Sequence, residues 1–190
     1  MSDDDVATIA AFAGSLRKGS YNRMLIRAAV ELAPPGIKVV PFDIDDVPLF
    51  NDDLDSDENP LPSVKRLRDA IRSADALLIA SPEYNWSIPA VTKNVLDWAS
   101  REDGVLEYKP TAIMGASTGG FGTVRMQIAL RTVAGFTDQW FLNDPQIHIA
   151  RAREKFDAEG RLTDEPTRKQ IVELLEALVA FARQIKKGSG

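Results

Sequence analysis

The 190-residue chain contains no cysteine and a single histidine, His148. Without cysteine it can form no disulfide, no thiolate metal site and no cysteine nucleophile, and a cytoplasmic protein is the simplest interpretation. Basic residues are outnumbered as well: 23 Lys and Arg against 28 Asp and Glu give a net charge of −5. This charge argues against nucleic acid or an anionic membrane as the main partner. His148 lies in a predicted strand, where a packed or surface histidine is favoured over a catalytic one.

Long apolar runs are also missing. The first run, "ATIAAFA" from Ala7, is too short to span a bilayer, and the acidic stretch before it lacks the positive charge of a signal peptide. With 44% hydrophobic residues, the chain is predicted to form one globular domain over residues 1–190. Residues 188–190, "GSG", are expected to be a tail outside the fold.

What the sequence does contain is an alternation of strand and helix patterns. Nearly continuous apolar runs begin at Ala7, Ala76 and Thr111, which is typical of strands buried on both faces of a parallel sheet. Less uniform strand candidates begin at Ile37 and Gln139, as expected nearer a sheet edge. Five β-α repeats in succession predict right-handed crossovers and a three-layer α/β sandwich. The helical segments lie around residues 25–32, 64–71, 89–98, 121–133 and 171–185.

One stretch, residues 43–62, is rich in acids and contains no base. It holds eight carboxylates: Asp43, Asp45, Asp46, Asp52, Asp53, Asp55, Asp57 and Glu58. A calcium loop counted from Asp53 would need glycine at its sixth position and glutamate at its twelfth, where the chain has Glu58 and Val64. The stretch is therefore interpreted as a solvated loop, with a metal site as the alternative.

The first apolar run ends in the loop "GSLRKGSYN", residues 14–22, whose composition indicates anion binding. Gly14 and Gly19 have the separation found in a nucleoside triphosphate loop, but Ser20 stands where that loop needs lysine, and the loop is not GxGxxG either. The loop suits a terminal phosphate monoester. Hydrogen bonds to the phosphate can come from the hydroxyls of Ser15 and Ser20, the amide of Asn22 and the guanidinium of Arg17, and the N-terminus of the following helix adds its partial positive charge. The alternative is that Ser20 only caps the helix and the cations are solvated.

Two further polar loops follow the other strong apolar runs, and the carboxyl ends of parallel strands lie at one edge of a sheet. "SPEYNWSIP" offers aromatic surface at Tyr84 and Trp86 for a flat ligand, unless those rings pack in the core. "ASTGGFGT" has three glycines within four residues, so that its backbone can approach such a ligand closely. The alternative is a flexible turn that caps the fourth helix through Ser117 or Thr118. Together the three loops predict one ligand site.

At these loops the sequence resembles the NAD(P)H-dependent FMN reductases of flavodoxin-like fold, particularly their chromate and quinone reductase branch. "GSLRKGSYN" looks like that family's phosphate loop, G-S-x-R-x-x-S-x-N. "PEYNWSIPAVTKNVLDWAS" is similar to its flavin-ring motif, P-E-Y-N-x-S-x-P followed by K-N-x-[IL]-D-W. "VPLFNDD" and "KPTAIMGASTGG" also fit in order, so the resemblance covers residues 7–185. It departs from the pattern at Trp86, where a second tyrosine is frequent, and in the spacing of the glycines of "STGGFGT".

The resemblance implies a five-stranded parallel sheet in the order 2-1-3-4-5, bound FMN, and NADPH or NADH as co-substrate. Hydride would pass to flavin N5, so no residue is assigned a catalytic role and no metal is expected. Quinones are the preferred acceptor, with free flavin, azo compounds and chromate as alternatives. The implied cofactor-binding residues are Ser15, Arg17, Ser20, Tyr21 and Asn22 at the phosphate, and Pro82, Glu83, Tyr84 and Asn85 at the isoalloxazine, with Ser117 and Gly120 nearby.

Two other functions are compatible with the same sheet topology. A non-enzymatic FMN electron carrier of the flavodoxin type remains the alternative, although the phosphate loop of flavodoxins is usually rich in threonine and glycine and lacks an arginine like Arg17. A phosphatase would need a cysteine in the phosphate loop, and the chain has none.

The fourth predicted helix is apolar on more than one side. Met126 and Leu130 belong to one stripe, while Val124 and Ile128 extend another. A helix that packs only against its own sheet needs a single apolar stripe. A homodimer or homotetramer that uses this helix and the third is therefore expected.

Overall fold

A computed structural model of the chain describes residues 6–56, 60–101 and 104–188. It contains all five predicted helices and one strand more than predicted. The strands are β1 (Ala7–Ala13), β2 (Ile37–Pro41), β3 (Ala76–Ala80), β4 (Pro110–Ala116), β5 (Trp140–Phe141) and β6 (Ile147–Ile149). The helices are α1 (Tyr21–Leu32), α2 (Pro62–Ser73), α3 (Ala90–Ala99), α4 (Val124–Thr137) and α5 (Glu165–Gly188).

The sheet is parallel, and its strand order β2-β1-β3-β4-β5 confirms the predicted order. The single fifth strand predicted from Gln139 is wrong in detail, because this segment forms two short strands that both pair with β4. β5 pairs near the start of β4 and β6 near its end. Pro145 lies between them and has no N–H to donate to a ladder, which accounts for the interruption.

Helices cover both faces of the sheet, as the three-layer prediction requires. On one face α1 and α5 pack over the sheet through residues such as Leu25 and Leu175. On the other face α2, α3 and α4 contribute Leu67, Val95 and Leu130. Every residue of β3 is buried, in agreement with its continuous apolar run. The carboxyl ends of β1, β3 and β4 are thereby held at one edge of a rigid core.

Helix α4 begins three residues later than predicted and also extends four residues further. Gly122 has a φ of +60°, a left-handed conformation that an α-helix cannot continue through, so residues 121–123 belong to the preceding loop. At the other end Asp138 adopts the left-handed conformation, with a φ of 51°, and terminates the helix.

The described acids of the acidic stretch are exposed, as its interpretation as a solvated loop requires, with the exception of Asp55. Several of them are nevertheless ion-paired. Arg68 Nη2 lies 2.9 Å from Asp55 Oδ1, and the Asp55 side chain is only 6% exposed. Arg101 reaches both Asp52 and Asp55, and Arg66 pairs with Asp46. The counter-ions come from α2 and from the end of α3. Asp57 and Glu58 lie outside the described residues.

Helix α5 is the longest element, and its apolar side packs on the sheet through residues such as Ile171 and Leu178. Among the described residues, none of the helices combines the length and apolar character needed to cross a membrane. Gly188, the first residue of the predicted tail, ends α5, while Ser189 and Gly190 lie outside the described residues.

Candidate functional site

The loops that follow β1, β3 and β4 meet at the carboxyl edge of the sheet and enclose a cavity of about 170 Å³. We call residues 14–20 the first loop, residues 81–89 the second loop and residues 117–123 the third loop. All of the predicted site residues except Asn85 and Gly120 line the cavity. The lining is Ser15, Arg17, Ser20, Tyr21, Asn22, Pro82, Glu83, Tyr84, Ala116, Ser117 and Thr118.

The first loop and the start of α1 supply the end of this cavity at which anion binding is predicted. Ser20 is the N-cap of α1, and its Oγ accepts a hydrogen bond of 3.2 Å from Asn22 N. The cap was the simple alternative for Ser20, yet it leaves the hydroxyl hydrogen able to donate to a ligand. The first turn of α1 contains no acidic residue, so its partial positive charge is not neutralised there. Arg17 lies at the cavity, with its Cζ 5.8 Å from the centre of the Tyr21 ring.

Asn22 has a positioning role that its place in the motif did not reveal. Its side chain is buried, with 2% exposure. Its Oδ1 accepts from Ala116 N at 2.9 Å, and its Nδ2 donates to Ala116 O at 3.0 Å. The amide thereby ties the start of α1 to the end of β4, where the third loop begins. A contact of Asn22 with a phosphate stays a prediction.

A second buried contact ties the first loop to the second and to α3. Ser81 Oγ lies 2.9 Å from Thr92 Oγ1, and Thr92 Oγ1 donates to Gly14 O at 3.4 Å. A Cβ atom at Gly14 would lie 2.0 Å from Thr92 Oγ1, so only glycine allows this approach. The spacing between the two loops is therefore fixed by the core and not by a ligand.

The second loop contains a tight two-residue hairpin with a strained backbone. Tyr84 N donates to Ser87 O at 3.1 Å and Ser87 N donates to Tyr84 O at 2.9 Å. The two residues between them are left-handed: Asn85 has a φ of 49° and Trp86 a φ of 67°. Asparagine tolerates this conformation, but for a bulky residue such as tryptophan it costs roughly 1–3 kcal/mol. Contacts elsewhere must compensate for this strain.

Glu83 joins the second loop to the N-terminus of α4. Its Oε2 accepts from Arg125 N at 2.9 Å and from Met126 N at 3.1 Å, while its Oε1 accepts from Arg125 Nη1 at 3.0 Å. The alternative in which Ser117 or Thr118 caps this helix is therefore wrong. Glu83 lines the cavity as predicted, but its carboxylate is directed to α4.

The Arg125 guanidinium contacts two aromatic rings. Its Cζ is 4.4 Å from the centre of the Trp86 ring and 4.6 Å from that of Phe121, both within the range of cation–π contacts. The two rings are 73% and 71% exposed, so the alternative that places Trp86 in the core is wrong. The stack connects the second loop to the third. No local pattern in the sequence indicated it.

Asn85 and Gly120, the two predicted residues that do not line the cavity, lie beside it. Asn85 is exposed at the tip of the hairpin, and Gly120 faces a neighbouring cleft that His148 also lines. Burial and the charge of Arg131 lower the pKa of His148, so its imidazole is neutral near pH 7. His148 does not line the cavity itself. Thr118, which does, could have been found from its position next to Ser117.

The residues present fit a phosphate monoester attached to a flat ring. Hydroxyls, Arg17 and the first turn of α1 would hold the anion, while Pro82 and Tyr84 offer apolar surface next to them. The cavity is smaller than a typical small-molecule pocket, so it would accommodate the phosphate end and leave the ring to the surface beyond it. A larger cleft of about 370 Å³, between α1 and the end of β2, contains none of the predicted site residues. In the described ranges, no three carboxylate or histidine side chains are grouped as metal ligands.

The sequence was compared with known proteins. It matches the family described as NADPH-dependent FMN reductase over residues 7–154. It is 45% identical to an NAD(P)H-dependent FMN reductase of Pseudomonas aeruginosa, over 98% of this chain and 100% of that protein. It is 42% identical to an NADPH:quinone oxidoreductase of Arabidopsis thaliana, over 94% of this chain and 93% of that protein.

A solved structure agrees with these matches. The fold is similar to that of a flavoenzyme NAD(P)H:acceptor oxidoreductase of Paracoccus denitrificans, with a TM-score of 0.84, 35% identity, and coverage of 94% of this chain and 98% of that one. The resemblance inferred from the loops is thus confirmed for the family, the fold and most of the length. The chain belongs to the NADPH-dependent FMN reductase family.

Proposed function

We propose that the protein is an NAD(P)H-dependent, FMN-containing oxidoreductase that transfers two electrons to quinones. The observation that carries the proposal is the meeting of the first loop, the second loop and the end of β4 around one cavity, one end of which is lined by Ser15, Arg17 and Ser20. Relatives named as quinone oxidoreductases support the choice of acceptor. Free flavin, azo compounds and chromate are the alternative acceptors. The proposal includes a cytoplasmic location, which the lack of cysteine supports.

FMN supplies the redox chemistry when bound, by accepting hydride from NAD(P)H and returning two electrons to the acceptor. The residues of the protein bind the FMN and orient it. Ser15, Ser20 and Arg17 hold the phosphate together with the first turn of α1. Pro82 and Tyr84 flank the ring. The buried contacts of Gly14 and Asn22 keep the loops at a fixed spacing before any ligand binds, which limits the ordering cost of binding.

Anaerobic titration with NADPH tests this function. We expect the FMN-loaded protein to lose its oxidised-flavin absorbance rapidly with about one equivalent of NADPH or NADH, and to regain it when a benzoquinone is added. The non-enzymatic electron carrier predicts a flavin that ignores both nucleotides but is reduced by dithionite. That outcome would reject the reductase and favour the carrier.

We also propose a homodimer or homotetramer in which the outer face of α4 packs against a second copy. Ile128 is 63% exposed on this face, and Val124, Phe121 and Phe136 are exposed as well. Val124 and Ile128 are four residues apart and therefore neighbours on the helix surface, and exposed apolar patches mark interaction sites. The contribution expected from α3 is weaker, because its apolar residues Val95 and Trp98 are buried in the core. The proposed interface therefore depends mainly on α4.

Light scattering at micromolar concentration tests the oligomer. We expect the wild-type chain to have at least twice the monomer mass, and the Ile128→Glu variant to have the monomer mass, since a charge would be buried at the interface. Gln170→Glu on α5 is the matched control because it adds the same single negative charge at an exposed position away from α4. A wild-type monomer at these concentrations would contradict the proposal.

A further inference from the structure

The strained hairpin of the second loop has a contact that explains why it is stable without a glycine. Asn85 and Trp86 are both left-handed, and a glycine in the second of these positions would remove the strain. The chain has tryptophan there, and its ring lies on the Arg125 guanidinium at 4.4 Å. The conformation of the hairpin is thereby linked to a residue on α4.

Arg125 is itself held by two further residues. Its backbone N–H and its Nη1 donate to the Glu83 carboxylate, and its Cζ lies 4.6 Å from the centre of the Phe121 ring. The next residue, Met126, is fully buried, which anchors the start of α4 in the core. The Arg125 guanidinium is therefore held in a fixed position, and the Trp86 ring packs against it.

The hairpin also includes Tyr84, which lines the cavity and whose hydroxyl lies 3.5 Å from Ser15 Oγ. Tyr84 is one of the two residues that close the hairpin by backbone hydrogen bonds to Ser87. An open hairpin would displace Tyr84 and would enlarge the cavity on the side where the ring of a ligand must lie.

We propose that Arg125 is a positioning residue that latches the second loop in its ligand-binding conformation, through Trp86 on one side and Glu83 on the other. It acts on the ring end of the ligand and not on the phosphate end. The part of the proposal that concerns the ring rests on the proposed function, whereas the latch itself is a property of the protein without ligand.

A direct role of Arg125 in binding an anionic co-substrate is disfavoured by the same contacts. Glu83 Oε1 lies 3.0 Å from its Nη1, which neutralises much of the charge. Its Cζ also lies within 5 Å of the centres of the Trp86 and Phe121 rings, at 4.4 and 4.6 Å. The Arg125 guanidinium is thus engaged by contacts within the protein and not by a ligand.

Hydrogen exchange on the protein without flavin tests the latch alone. In Arg125→Ala we expect the Tyr84 and Ser87 amides to exchange about tenfold faster, since a cation–π contact and a charge-assisted hydrogen bond are lost. The amides of β3 should not change. Arg131→Ala is the matched control, because Arg131 lies on the same helix but binds Leu142 O and Asn143. Unchanged exchange at the hairpin in Arg125→Ala would overturn the proposal.

Binding of FMN and riboflavin then tests the action on the ring. In Arg125→Ala we expect both affinities to fall by a similar factor of about ten, so that their ratio stays that of the wild type. In a Trp86→Gly background the hairpin no longer needs the stack, and adding Arg125→Ala should change either affinity less than about threefold. The latch would be refuted if Arg125→Ala lowered the affinity for FMN but not for riboflavin. It would also be refuted if Arg125→Ala lowered the affinities as much in the Trp86→Gly background as in the wild type. A wild-type protein that binds neither flavin would refute the proposed function and the action on the ring, while hydrogen exchange would still decide the latch.

Discussion

Replacing Asn22 by alanine should lower the free energy of unfolding by about 2–5 kcal/mol, because it leaves two buried backbone groups without partners. Both belong to Ala116: its N–H donates to Asn22 Oδ1 and its C=O accepts from Asn22 Nδ2. Ala116 is itself 2% exposed, so water cannot easily replace the lost bonds. The end of β4 and the start of α1 should separate slightly, and the cavity between them should lose its shape.

Urea unfolding of the protein without flavin measures this loss. Ser20→Ala is the control, since it removes only the cap of α1 and should cost about 1 kcal/mol. If Asn22→Ala lowers the free energy of unfolding by no more than Ser20→Ala does, the amide contact contributes little and the prediction is contradicted.

Asn22→Asp separates the two hydrogen bonds. The carboxylate can accept from Ala116 N, but it has no hydrogen for Ala116 O and it places a charge in a buried position. Both effects raise the pKa of this carboxyl in the folded state above its unfolded value. The partial positive charge at the start of α1 acts in the opposite direction, but burial of a charge is the larger effect. A raised carboxyl pKa costs no stability below the unfolded value near pH 4, and the cost grows as the pH rises toward the folded pKa. Relative to Asn22→Ala, we therefore expect Asn22→Asp to be more stable near pH 4 than at pH 7.

The sequence was sufficient for the parts of the fold that depend on local pattern. The apolar runs of β1, β3 and β4 predicted a buried parallel sheet, and the loops that follow them predicted where a ligand site would form. The split of the fifth strand could have been found from the sequence, because the turn formers Asn143, Asp144 and Pro145 lie between the apolar residues of β5 and β6. The bounds of α4 were missed because they depend on left-handed residues at Gly122 and Asp138.

The roles of individual site residues could not be obtained in the same way. Asn22 and Ala116 are 94 positions apart, and Glu83 and Arg125 are 42 apart. A motif assigns such residues to a ligand because it lists them together, whereas the fold also uses them to fix loops against each other. The ion pairs of the acidic stretch, such as Asp55 with Arg68, were missed for the same reason.

Arg17→Ala should weaken FMN binding by about 1.5–3 kcal/mol, the range for a hydrogen bond to a charged group, and should leave riboflavin binding unchanged. Arg17 lies at the cavity next to Ser15 and Ser20, on the side where α1 begins. Its planar guanidinium can give two hydrogen bonds to one phosphate, which riboflavin lacks. The site should therefore prefer FMN to riboflavin in the wild type, and this preference should shrink in the variant.

Lys18→Ala is the matched control for the charge of Arg17. Lys18 is exposed in the same loop and does not line the cavity, so its removal changes the net charge equally without removing a contact. Long-range attraction between exposed charges is largely screened at physiological salt, and we expect a loss of less than about threefold in FMN affinity. Fluorescence titration measures the affinity of the wild type and of both variants for FMN and for riboflavin, at two salt concentrations. Equal losses in the two variants would mean that the first loop attracts the phosphate only by its overall charge. Wild-type affinity for riboflavin equal to that for FMN would mean that this loop does not hold a phosphate at all.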